Sequence, residues 1–201
     1  MSFTCRKKPI IISIEGSIGT GKSTVLSQLE KEGIYCAQEG ADDQNRWGDI
    51  LHHFYHNKKR WSFTLQIAIL NDMARQYDNF MKLKEDVIIV ERSPLSALTF
   101  VKNAIENDFL TPTEQRIYLD LHKKISWIPD IIISLEVDPS IAFKRIQNRN
   151  RKAETENNIS MSYIRSIDSL YRQELNNWKK MINVRKLKVK KIYRVDASYD
   201  K

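Results

Sequence analysis

Gly16-Ser17-Ile18-Gly19-Thr20-Gly21-Lys22-Ser23 fits the spacing G-x-x-x-x-G-K-[ST], with Thr24 directly behind it. Glycines at these places let the backbone turn tightly and aim its N–H groups at an anion, and a helix starting behind them adds its positive end. Lys22 is placed to reach outer phosphates, and the Ser23 hydroxyl to meet a hard divalent cation riding on them. The chemistry implied is polyphosphate binding; whether the phosphate is hydrolysed or handed on is decided elsewhere. No aspartate is followed three residues later by glycine, and Asn57-Lys58-Lys59-Arg60 lacks the aspartate of N-K-x-D, so the readers of a GTPase are missing. Transfer by a small enzyme is the expected fate.

An acceptor needs a base, a counter-charge and a pocket. Glu39, in CAQEG at the end of an apolar stretch, could take a proton from an attacking alcohol. DVIIVERS delivers Glu91 and Arg92 to the same edge; the acid suits Mg²⁺ and the arginine suits phosphate or the orientation of Glu39. Arg145 and Arg149, four apart, share a helical face, with Arg151 just beyond in a charged stretch. Three arginines there suit a lid that closes over phosphates and excludes water. In FYHNKKRWSFTLQ, Tyr55 and Trp61 read as ordinary aromatics. Gln66 is more telling, because a buried amide on an apolar face needs a partner such as a nucleobase edge.

These residues must be positioned by a sheet. PIIISIEG (9–16), IYCAQE (34–39), DVIIVERS (86–93), PDIIISLEV (129–137) and LKVKKIYRVDA (187–197) read as strands, the last at an edge. Helical patterns over 22–31, 47–57, 61–83, 93–108, 111–126, 139–149 and 160–182 separate them, and Thr111-Pro112-Thr113-Glu114 comes close to a capping box. Strands alternating with helices predict an α/β protein with a parallel sheet, whose ligands gather at the strands' carboxyl ends. The 201 residues form one expected domain. No apolar run reaches about 18 residues, so no membrane contact is expected, and Cys5 and Cys36 show no metal or disulfide spacing, which fits the cytoplasm. The net charge of +8 gathers partly in KKMINVRKLKVKK (179–191), read as a solvated basic surface rather than a nucleic-acid site.

With the glycine loop, Gln38-Glu39-Gly40, the spacing Tyr55/Trp61/Gln66, Glu91-Arg92-Ser93 and the arginine lid together, the chain resembles the deoxynucleoside kinases nearly end to end. The resemblance implies a three-layer P-loop NTPase fold, a five-stranded parallel sheet flanked by helices, with an arginine-rich lid over about 145–158. It implies ATP with Mg²⁺ as donor, a deoxynucleoside as acceptor and a homodimer through helices 61–83 and 93–108. By position, Glu39 is the base, Arg92 and Lys22 complete the catalytic set, and Ser23 and Glu91 serve Mg²⁺. Gln66 pairs with the base; Tyr55 and Glu154, or Glu156 by the opposite count, meet the 3′-hydroxyl; Trp47 lies on the approach. Val101 by strict count, with Phe100 beside it, stacks on the base. Met73 and Ala97 stand where an arginine–aspartate pair would suit deoxycytidine or purines, which favours thymidine among pyrimidines. The chain departs from the family at Gly40, where a proline is usual, and in a longer Glu39–Trp47 segment. Two rivals stand beside this reading: a thymidylate or other nucleoside monophosphate kinase, and a nucleotide-dependent nucleic-acid binder.

Overall fold

The computed structural model describes residues 8–42, 46–149, 154, 159–183 and 188–199. The strands are β1 (Ile10–Glu15), β2 (Cys36–Ala37), β3 (Val87–Glu91), β4 (Ile131–Glu136) and β5 (Lys191–Asp196). The helices are α1 (Lys22–Lys31), α2 (Gly48–His56), α3 (Lys58–Phe80), α4 (Pro94–Glu106), α5 (Pro112–Ile125), α6 (Pro139–Arg149) and α7 (Met161–Asn183). The sheet order is β2-β3-β1-β4-β5, with every pairing parallel and β5 at an edge. Isoleucine-rich β1, β3 and β4 are central because both faces are covered by helices; Ile11, Ile14, Ile88, Val90 and Ile132 are buried.

Register decides where the polar residues emerge. Ile14 pairs with Glu91, and Glu15 with Ser134, so β1 and β3 end within one residue of each other and β4 runs two residues further. The glycine loop, Glu91-Arg92 and the start of α4 therefore share one edge of the sheet.

Two predicted elements differ. The strand over 34–39 contracts to Cys36–Ala37. Beyond it the chain peels from β3: the Gln38 carbonyl accepts from Arg46 Nη1 at 2.9 Å, and the Glu39 N–H donates to Glu91 Oε2 at 3.4 Å. The helix predicted from 61 starts at Lys58, because Asn57 Oδ1 accepts from the Arg60 N–H at 3.0 Å and caps it. The capping box at Thr111 and Glu114 forms in both directions. No helix of the described residues is long and apolar enough to cross a membrane.

Candidate active site

The glycine loop turns where only glycine fits. Gly16 has φ 145°, and a Cβ there would lie 2.6 Å from the Leu135 carbonyl oxygen on β4. Lys22 opens α1 and is buried; its Nζ donates to the Ser17 carbonyl at 2.9 Å and stands 4.0 Å from Glu91 Oε1. Burial, and then the nearby Arg92 guanidinium, push the Lys22 ammonium down to about 7. An incoming phosphate supplies the counter-charge that reverses this. The Ser23 hydroxyl lies 3.2 Å from both oxygens of Glu91.

Arg92 is the hub. Its backbone takes the left-handed conformation, φ 68°, which costs a non-glycine residue on the order of 1 kcal/mol and persists only where the surroundings hold it. Those surroundings are specific. The Arg92 N–H donates to the Ile14 carbonyl at 3.1 Å. Nε donates to Glu39 Oε2 at 3.1 Å, and Nη1 to the Gly16 carbonyl at 2.9 Å. The guanidinium lies 4.8 Å from the centre of the Phe100 ring. Burial works against its charge, yet Glu39, Tyr171, Glu91 and Glu15 hold it firmly protonated.

A cavity of about 770 Å³ adjoins this hub. Its wall includes residues 18–25, from the glycine loop into α1, together with Arg145 and Arg149. Trp47, Tyr55, Gln66, Met73 and Ala97 line it as well, as do Glu39, Glu91 and Arg92. Gln66 is buried on α3, and its Oε1 accepts no hydrogen bond from the described residues. Met73 follows two turns along the same helix, and Ala97 faces it from the first turn of α4 within one apolar cluster. Gly40 stands where a Cβ would lie 2.7 Å from Trp47 Nε1, so the strap after Glu39 can lie close against the indole.

Among the expected site residues that the structure describes, Gly16, Ser17 and Val101 do not line the cavity. Val101 packs with Leu70, Ala104, Leu110 and Tyr118, while Phe100 lines the cavity. Adjacent residues on a helix point about 100° apart, so a count that is off by one exchanges the cavity for the core. Arg151 and Glu156 lie outside the described residues. Glu154 lines the cavity and forms an ion pair with Arg149, whose Nε donates to Oε2 at 2.8 Å. Two residues expected to serve different substrates thus meet each other.

Other cavity residues escaped the sequence reading. Tyr163 sits edge-on to Tyr55 at 6.4 Å, and Ala197 and Tyr199, just past β5, also line the cavity. Glu15 and Tyr171 lie behind Arg92, outside the cavity. Glu15 had a signal, an acid closing an otherwise apolar strand immediately before the loop. Tyr171 had none, since an aromatic on an amphipathic helix reads as core.

The geometry supports transfer between two bound molecules: an anion cradle, a carboxylate held by a cationic hub, and an apolar slot with one free amide oxygen. Among known proteins, the sequence profile described as deoxynucleoside kinase matches residues 12–200. Protein 143R of Invertebrate iridescent virus 6, named as a kinase, is 35% identical over 166 residues, 82% of each chain. A deoxyguanosine kinase of Lactobacillus johnsonii is 29% identical over 178 residues, 84% of this chain and 75% of that one. The solved deoxyadenosine kinase of M. mycoides with the products dCMP and dCDP superposes with a TM-score of 0.79, at 24% identity, over 95% of this chain and 92% of that one.

Proposed function

The chain belongs to the deoxynucleoside kinase family, and we propose that it passes the γ-phosphate of ATP to the 5′-hydroxyl of a pyrimidine deoxynucleoside, thymidine favoured, for nucleotide salvage. The observation that carries this is one cavity lined by the glycine loop and by Gln66, with the Arg92–Glu39 ion pair also in its wall.

Glu39 takes the proton of the 5′-hydroxyl as its oxygen bonds to the γ-phosphorus and the bond to the β-phosphate oxygen breaks, leaving ADP. Arg92 keeps the Glu39 carboxylate oriented and faces the charge that develops on the transferring group. Lys22 and the loop N–H groups hold the outer phosphates of the donor. Among the described residues no group of three His, Cys, Asp or Glu could hold a metal alone, but the Ser23 hydroxyl and Glu91 carboxylate would suit Mg²⁺ brought in with the donor phosphates. When bound, that ion would neutralise phosphate charge. Arg145 and Arg149, which line the cavity, supply positive charge to the donor phosphates.

Gln66 offers an acceptor and two donors to a base edge, and its free Oε1 suits the N3–H of thymine. Met73 and Ala97 give the thymine methyl apolar neighbours and no competing charge. Phe100 supplies the stacking ring, Tyr55 and Glu154 the sugar contacts, and Trp47 a wall of the approach. A homodimer through α3 and α4 belongs to the same reading. The relatives named for purine deoxynucleosides make deoxyadenosine and deoxyguanosine the second reading. A panel of thymidine, deoxyuridine, deoxycytidine, deoxyadenosine and deoxyguanosine with γ-labelled ATP and Mg²⁺ decides between them. The highest kcat/KM on thymidine is expected; a purine at the head of the series would overturn the pyrimidine assignment.

A further inference from the structure

Behind the cavity lies a second polar network that substrate binding does not explain. Glu15 is fully buried at the end of β1. Its Oε1 accepts from the Ser93 hydroxyl at 2.7 Å and its Oε2 from the Tyr171 hydroxyl at 2.7 Å. The Tyr171 oxygen in turn accepts from Arg92 Nη1 at 3.1 Å. Counting protons fixes the direction of this chain. Tyr171 has one hydrogen, and it goes to Glu15, so the phenol oxygen is free to accept from Arg92. An ionised Glu15 satisfies all three bonds at once.

The ring also matters. Tyr171 sits 5.7 Å from the Arg92 guanidinium and edge-on to Trp178 at 6.3 Å, which fixes the phenol on α7. Ser93 is the N-cap of α4, yet its hydroxyl makes no capping bond because it is committed to Glu15. A cap worth about 1 kcal/mol is given up there to hold a buried carboxylate. Arg92 is thus gripped from two sides: directly by Glu39 in the cavity, and through Tyr171 by Glu15 outside it.

We propose that Glu15 and Tyr171 are positioning residues for phosphoryl transfer: together they fix the Arg92 guanidinium, and through it the Glu39 carboxylate, without touching either substrate. This rests on Arg92 and Glu39 serving the transfer as described above. A hydrogen-bonded network of this kind acts as a unit, so its losses overlap instead of multiplying.

The test is a kinetic cycle with Tyr171→Phe, which keeps the ring and removes the hydroxyl, and Arg92→Lys. Tyr171→Phe is expected to lower kcat about tenfold while KM for ATP stays within about twofold, and to add little further loss on the Arg92→Lys background. Glu15→Gln, which keeps the shape and can still accept from Ser93, is expected to show the same split and covers the case in which Tyr171→Phe does not fold. Wild-type kcat in either folded variant, or losses that multiply fully in the double variant, would overturn the assignment. Unchanged turnover in Arg92→Lys alone would instead remove Arg92 from the transfer, leaving this network a matter of stability.

Discussion

Two side chains proposed for the transfer each make a prediction. Replacing Glu39 with alanine removes the proposed base and leaves the glycine loop untouched; kcat should fall on the order of 100-fold with ATP affinity nearly unchanged, as single-turnover rates and ATP titration will report. Lys22 predicts a proton linkage. Burial, and then Arg92, lower its pKa from 10.5 to about 7 in the folded chain. Between these values the unfolded chain holds a proton that the folded one lacks, so the free protein's stability should rise with pH from about 7 to 10.5 through this group. ATP restores the charge, so its binding at pH 8 should take up a proton, measurable by calorimetry in buffers of different ionisation heat. Lys22→Met should abolish the uptake. Lys22 and Ser23 were legible from the spacing of the glycine loop, and Glu39, Gln66, Glu91 and Arg92 because each sits near a strand end or on an apolar face where a polar side chain stands out. Phe100 was not, because helical phase is lost by a single residue. Tyr171 was not, because its partner Glu15 is distant in the chain and only folding joins them.

Elements were read well wherever local chemistry alone sets their ends. The Thr111–Glu114 box starts α5 as its sequence requires. Thr111→Ala should cost about 1 kcal/mol of stability in denaturant melts and leave kcat untouched, because α5 does not border the cavity. Where tertiary bonds compete, local signals mislead. Ser93-Pro94 looks like an ordinary helix start, but the serine hydroxyl is drawn to Glu15. IYCAQE looks like a full strand, but Arg46 and Glu91 pull its last residues away and so carry Glu39 toward Arg92. The departure from regular structure is what builds the site.

At the scale of the whole molecule, alternation of isoleucine-rich strands and amphipathic helices was enough to foresee five parallel strands, though not their order. Order matters because it sets β1 between β3 and β4 and so brings the glycine loop beside Glu91-Arg92. The basic residues near the C-terminus lie apart from the cavity. Lys179, Lys180, Lys188, Lys190 and Lys191 are exposed at the end of α7 and the start of β5, where the strands begin, and the cavity lies where they end. Reversing Lys179 and Lys180 to glutamate should therefore leave kcat/KM within about twofold, since exposed charges that far off are screened by salt. If Gly16–Ser23 holds the donor, its phosphate passes to a nucleoside hydroxyl and not to water. Separate incubations of the protein with ATP, Mg²⁺ and either thymidine or thymidine 5′-monophosphate, with products resolved by chromatography, test it most directly. Thymidine 5′-monophosphate and ADP in equal amounts are expected from thymidine. Phosphorylation of the monophosphate alone, or ADP released without any acceptor consumed, would contradict it.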